Sequence, residues 1–242
     1  MATDRRSIER LLATDLFRNL DGMLLERLAV NSRTWSLRAG DYVWRRGAAA
    51  QYFMIVRKGL VAIRRISAEG EGVLVALFGP RDALCIVPAL QHTPFPADAV
   101  AVTDGTEVLV VPTAPVLSAV DSHSELATAL NRALLEHTSS LRSKIDIVSA
   151  GTVPRRVASL LLHLAGRFGR ISANGSVQID PALTREQIGQ LVNARTETVI
   201  RIMSRWAKAG WIQGSASTLQ LLRTDMLQRI AGDSAGAQSL SA

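Results

Sequence analysis

The segment Thr184–Trp206, TREQIGQLVNARTETVIRIMSRW, restricts the fold of this chain more than any other stretch. Thr184 and Gln187 are spaced as a capping box, which fixes where a first short helix starts. Ile188, Val192, Ala194, Val199 and Ile202 are apolar where two short crossed helices must face each other. Gly189 falls on the inward face of the first helix, where any Cβ would hold the second one away. Asn193 falls in the turn, and Asn is among the few residues besides glycine that tolerate a left-handed backbone. Each feature alone is weak. In this order they specify a helix-turn-helix, with the second helix as the part that enters a DNA groove.

The exposed face of that second helix can be read chemically. Glu197 and Arg201 are four apart and project from one side near the helix start. In a major groove, Arg can clasp O6 and N7 of guanine while Glu accepts a hydrogen bond from N4 of cytosine. Thr196 is a further base-reading candidate, and Thr198 can reach a thymine methyl or a phosphate. Arg185, Arg195 and Arg205 surround the motif and are expected on phosphates. Ser215 and Ser217 are weaker candidates at a wing tip. The plainer alternative is a solvated Glu–Arg pair worth a few tenths of a kcal/mol. Charge decides between them. Residues 151–242 carry 11 basic and 5 acidic side chains, whereas residues 1–150 carry 17 and 16, so nearly all of the +7 sits in the C-terminal third. That asymmetry calls for a polyanion partner, and an acid in the middle of a basic surface argues for base reading over general adhesion.

Around this motif the spacing predicts helices at Arg155–Phe168, Arg185–Val192 and Glu197–Ala209. Hairpins are expected at Ile171–Asp180, on a two-residue Asn174-Gly175 turn, and around Gly214–Ser217. The order is that of a winged helix-turn-helix domain, residues 151–242. Gly151 and Pro154 close a long helical pattern over residues 123–150. Its narrow seam, Leu126, Leu130, Leu134, Leu141, Ile145 and Val148, suits a coiled-coil partner and predicts a homodimer; packing on the chain's own barrel is the alternative. Residues 5–35 read as helical. From Trp35 to Pro112, glycines punctuate short β-branched and aromatic runs such as Tyr52–Val56, Leu60–Ile63, Val73–Phe78 and Val108–Val111, the texture of a jelly roll or barrel. The expected class is α+β: a β-barrel with N-terminal helices (residues 1–122), a dimerisation helix and a DNA-binding domain.

Several classes are excluded. No apolar run is long enough to span a bilayer, and the charged start has no signal-type core, so a soluble cytoplasmic protein is expected with no membrane partner. A single cysteine, Cys85, rules out an internal disulfide or a four-thiolate cluster from one chain. No P-loop, GxGxxG, G-x-S-x-G or metal-binding spacing is present, and no catalysis is expected.

The chain resembles the bacterial Crp/Fnr family, typified by the cyclic AMP receptor protein and the fumarate–nitrate reduction regulator. The likeness runs from about Leu16 to Leu222 and rests on Ala39-Gly40-Asp41, Arg46-Gly47, Lys58-Gly59, the long helix, Arg156-Val157-Ala158 and the helix-turn-helix. It implies a homodimer on palindromic promoter sites, read through a Glu and an Arg at the places of Glu197 and Arg201. It also implies contact with RNA polymerase, usually in activation, with Ser67–Glu71 and Ser172–Ser176 as candidate surfaces. Two departures stand out near the reading helix. Thr196 replaces an Arg of the receptor protein, and Arg195 stands where a capping Ser is usual, which moves the helix start to Thr196. The sensor half departs further. Where the family places a Gly-Glu pair for ribose and Arg-Ser or Arg-Thr for the cyclic phosphate, this chain has Cys85-Ile86 and Pro96-Ala97; the pair that meets adenine becomes Leu141-Arg142. Ile, Pro and Ala offer a cyclic phosphate neither charge nor donors, so cyclic AMP is not expected. An apolar effector, a haem on His92, His123 or His137, or a thiol switch at Cys85 are the alternatives at Leu84–Pro88 and Leu90, against an inert core. A barrel that regulates a partner by protein docking is a further one.

Overall fold

The computed structural model describes residues 5–66, 72–180, 182–214 and 218–232. The elements in order are α1 (Arg5–Leu12), α2 (Gly22–Ala29), β1 (Arg33–Leu37), β2 (Tyr42–Trp44), β3 (Tyr52–Lys58), β4 (Val61–Ile66), β5 (Gly72–Phe78), β6 (Ala83–Leu84), α3 (Ile86–Gln91), β7 (Asp98–Ala101), β8 (Thr106–Pro112), α4 (Thr113–Val120) and α5 (Ser124–Ser149). They continue as α6 (Val153–Phe168), β9 (Gly169–Ile171), β10 (Val177–Ile179), α7 (Arg185–Val192), α8 (Thr196–Lys208), β11 (Ile212–Gly214), β12 (Leu219–Leu221) and α9 (Thr224–Ala231). Two compact units emerge, residues 1–65 with 77–140, and residues 66–76 with 141–242, so α5 is shared between them.

The barrel is two four-stranded sheets, β1-β8-β3-β6 and β2-β7-β4-β5. The central β3–β8 pairing is antiparallel, with Phe53 opposite Val111 and Ile55 opposite Leu109, all four buried. Gly59 makes the turn out of β3 at φ +75; a Cβ there would lie 2.4 Å from Thr106 Oγ1, so both backbone and space demand glycine. The four sequence-marked strand segments fall on β3, β4, β5 and β8.

Three readings need correction. Residues 5–35 are not continuously helical: the Thr14 hydroxyl donates to the Leu11 carbonyl as α1 ends, Asp21 caps a fresh α2, and Arg33–Leu37 pair with β8 as a strand. Cross-strand pairing there overrides helical spacing. The Asn174-Gly175 hairpin has a three-residue loop: Ser172 and Ser176 close it, and only Gly175 takes positive φ. A two-residue turn of the I′ type needs two such residues. The third concerns α5. Leu126 and Leu130 are 0% and 3% exposed within the single chain, packed in a cluster with Leu11, Phe17, Leu24, Leu28, Val116 and Ala119. Their burial stabilises the chain's own barrel, by about 1.5–3 kcal/mol each, and leaves no surface for a partner. Leu134 packs partly against the same cluster, Val148 is half-buried, and Leu141 and Ile145 are exposed together with Leu135.

The second unit has a sheet of order β11-β12-β10-β9 beside α6–α9. Val157, Ala158, Leu160, Leu161 and Leu164 of α6, Ile188, Leu191 and Val192 of α7, and Val199, Met203 and Trp206 of α8 are its core.

Candidate DNA-reading site

The helix pair forms as its sequence directs. Thr184 Oγ1 accepts from the Gln187 amide at 3.1 Å, and Gln187 Oε1 accepts from the Thr184 amide at 2.8 Å, closing the capping box on α7. Asn193 ends α7 at φ 52, ψ 59, in the left-handed region. A Cβ on Gly189 would lie 2.8 Å from the Ala194 carbonyl oxygen, so a side chain here would force the turn and the start of α8 outward. The turn is tied down by the Ala194 amide, which donates to the Gly189 carbonyl at 2.9 Å.

Helix α8 then divides sharply into two faces. Val199, Ile202, Met203 and Trp206 recur at helical spacing and are all buried. Glu197, Arg201, Arg205 and Lys208 are exposed on the opposite side. Thr196 and Thr198 are half-buried at its N-terminal end, and the helix begins at Thr196 with an exposed Arg195 as N-cap that makes no side-chain cap bond. The guanidinium of Arg195 is thus not used in capping. Arg185 is half-buried at the start of α7, its pKa drawn down by burial, in an open cleft of about 280 Å³ with Leu183, Thr184, Gly214, Thr218 and Leu219. Arg185 stands at the first position of α7, Arg195 caps α8, and Thr196, Glu197, Thr198, Arg201 and Arg205 lie on α8 itself. Ser215, Ser217 and the Ser67–Glu71 loop lie outside the described residues.

Sequence reading missed Ile200. It is 47% exposed and lies one turn from Glu197, at the border of the charged face and off the buried stripe. The signal was available: every other apolar residue of α8 from Val199 to Trp206 keeps to the 3.6-residue stripe, and Ile200 breaks it.

The barrel positions are different in kind. Cys85 adopts a left-handed backbone, φ 70, as the N-cap of α3, the conformation that suits a glycine. Its thiol is buried and its pKa raised well above the ordinary value by desolvation, so the reactive thiolate is suppressed. Ile86 joins the helical cluster around Leu11 and Phe17, Ala97 is buried, Pro96 is exposed, and Leu141 is exposed on α5. These five residues therefore do not all face one cavity: Ile86 packs into the helical core and Pro96 faces solvent. Of the histidines, His123 lies 3.3 Å from Asp21 and 2.9 Å from the Ala119 carbonyl, His137 stacks on Phe78 at 5.6 Å, and His92 is an exposed C-cap. Among the described residues no group of three or more His, Cys, Asp or Glu side chains could hold a metal ion.

A winged helix-turn-helix with a charged reading face, in a chain that also carries a jelly-roll sensor fold, defines a DNA-binding transcription regulator. Family models agree: residues 34–123 match the cyclic nucleotide-binding domain and residues 155–230 the Crp-like helix-turn-helix domain, together more than half of the chain. The protein belongs to the Crp/Fnr family of transcription regulators. It is 26% identical over 221 residues to a CRP-like cAMP-activated global transcriptional regulator of Mycobacterium tuberculosis, covering 91% of this chain and 98% of that protein. It is 25% identical over 200 residues to the transcriptional activator protein anr of Pseudomonas aeruginosa, covering 81% and 79%. In fold it is similar to FixK2 of Bradyrhizobium japonicum, with TM-score 0.72 and 21% identity over 83% of this chain and 98% of that one. No helix among the described residues is long and apolar enough to cross a membrane.

Proposed function

We propose that the protein acts as a homodimer, reads a palindromic promoter site through α8, and does so without cyclic AMP. The observation that carries this is the exposed row Glu197, Ile200, Arg201, Arg205 and Lys208 on a helix whose other face is sealed in the core. Arg201 clasps O6 and N7 of a guanine, Glu197 accepts from N4 of a cytosine, and Ile200 packs on a thymine methyl beside them. Thr196 and Thr198 flank these contacts, while Arg185, Arg195 and Arg205 hold phosphates and make binding salt-dependent.

Dimerisation follows from two needs. Two reading helices must enter successive major grooves about 34–36 Å apart. The exposed Leu135, Leu141 and Ile145 of α5 leave apolar surface that a second copy would cover, with Leu134 and Val148 at its margin. The seam thus occupies the later part of residues 123–150, between a sensor part (1–122) and the reading part (151–242). Activation by contact with RNA polymerase, at Ser172–Ser176 among other surfaces, matches the activator names of the relatives. The chain works by binding in the cytoplasm and not by catalysis.

Cyclic AMP does not fit the residues present. Ile86 is buried among leucines and phenylalanine, Pro96 has no N–H to give, and Ala97 has no polar side chain. A cyclic phosphate there would lose its water without gaining charge or donors. The test is binding of the full chain to a symmetric operator and to random duplex, with and without cyclic AMP. Arg201→Ala should lose about 1–3 kcal/mol on the operator and little on random DNA. Cyclic AMP should change neither affinity. Equal loss on both duplexes, or a large gain with the nucleotide, would refute the reading.

A further inference from the structure

Helix α7 is stopped by its own left-handed Asn193 and is held from outside as well. The last carbonyls of a helix lack partners within it and carry partial negative charge. Here they are taken by two cations from two other helices of the same unit. Lys144 of α5 donates its Nζ to the Leu191 carbonyl. Arg156 of α6 donates Nη1 to the Val192 carbonyl at 2.8 Å and to the Asn193 carbonyl at 3.1 Å. Three consecutive carbonyls, 191 to 193, are thereby fixed from outside α7.

The arrangement carries a penalty. Arg156 Nε is buried and has no acceptor among the described residues. Burial also draws Lys144 down to about 8 from the usual lysine value. A loose surface contact would let both groups return to water.

The position of the contact explains the cost. Asn193 is the left-handed residue of the turn, and α8 starts three residues later. Whatever holds the C-terminal end of α7 therefore also holds the N-terminal end of α8, where Glu197 and Arg201 stand. Lys144 in turn sits one residue from Ile145 and three from Leu141, on the stretch of α5 assigned above to the dimer seam. A single helical segment thus joins seam and reader.

We propose that Lys144 and Arg156 are positioning residues for operator reading: by clamping the end of α7 to α5 and α6, they set the half-site spacing the dimer accepts. This rests on the dimeric, DNA-reading function proposed above. Neither residue touches DNA in this account. Both act through the orientation of α8.

The experiment uses the full chain and its Lys144→Met and Lys144→Arg variants. Each is titrated with a single half-site duplex and with symmetric operators whose half-sites are moved closer or apart by one and two base pairs. The expected result for K144M is unchanged half-site affinity, about tenfold weaker binding at the optimal spacing, and a flattened dependence on spacing; K144R restores the wild-type profile. Lys144→Gln, which keeps a donor without charge, gives an intermediate profile and serves if K144M does not fold. An unchanged K144M spacing profile, equal loss on half-site and full operator, or tighter binding would each overturn the clamp alone. A wild-type chain that binds the full operator no more tightly than a half-site would overturn the dimeric reading, and the clamp with it.

Discussion

The two units handle polarity in opposite ways. In the winged unit the polar side chains of α8 stand outward in a row, backed by a closed apolar stripe. In the barrel, the places where relatives are expected to hold a charged ligand are taken by Cys85, Ile86, Pro96 and Ala97, with Ile86 drawn into the core. One unit presents charged side chains on its surface, and the other has uncharged residues at these places, Cys85, Ile86 and Ala97 buried and Pro96 exposed. On the function proposed above, the first arrangement suits DNA, and the second does not suit a cyclic phosphate.

Restoring an acid in the barrel would strain the comparison most. Ile86→Glu buries a carboxyl without a partner and should destabilise the first unit by about 3–5 kcal/mol, seen as a lower denaturant midpoint. An Ile86→Glu variant as stable as the wild type would mean that the position faces water, and the contrast would fail.

Next in size is Gly189→Val in the winged unit. Its Cβ would meet the Ala194 carbonyl oxygen at 2.8 Å, a backbone group that cannot swing aside. About 2–3 kcal/mol of stability should be lost, with operator binding lost alongside. Loss of stability without loss of binding would show that the close approach of α7 to the turn does not orient the reader.

A smaller effect separates the units by pH. His163 of α6 is mostly buried and held down to about 4, first by desolvation and then by the charge of Arg167. The unfolded chain takes up this proton near 6.5 and the folded chain only near 4, so stability is full above pH 6.5 and falls as the pH drops toward 4. The loss should reach up to about 2 kcal/mol by pH 5. His163→Leu should flatten that slope in thermal melts of the winged unit. An unchanged slope would place the acid sensitivity elsewhere.

The helix-turn-helix was legible because its demands are local. Thr184 with Gln187, Gly189 and Asn193 each answer to a backbone requirement within a few residues. The strands of the barrel were legible from glycine spacing and β-branched runs for the same reason. What was not legible depends on partners distant in sequence. Leu126 and Leu130 share the spacing of Leu141 and Ile145, yet the first pair packs on α1, α2 and α4 while the second is exposed; periodicity gives a face but not what covers it. The strand at Arg33–Leu37 owes its conformation to β8, about 70 residues further along. Lys144 gave no signal at all, since a lysine on a long helix reads as a solvated one until its carbonyl partner is seen.

The central claim, that Arg201 reads a guanine edge, is tested most directly by a double-mutant cycle on the operator. Guanine is replaced by 7-deazaguanine at each operator G in turn, and affinity is measured for the wild-type chain and for Arg201→Ala. The account predicts one position in each half-site where the base change costs the wild type about 1–3 kcal/mol and costs the variant almost nothing, because the contact is already gone. Equal costs for both proteins at every guanine would contradict it.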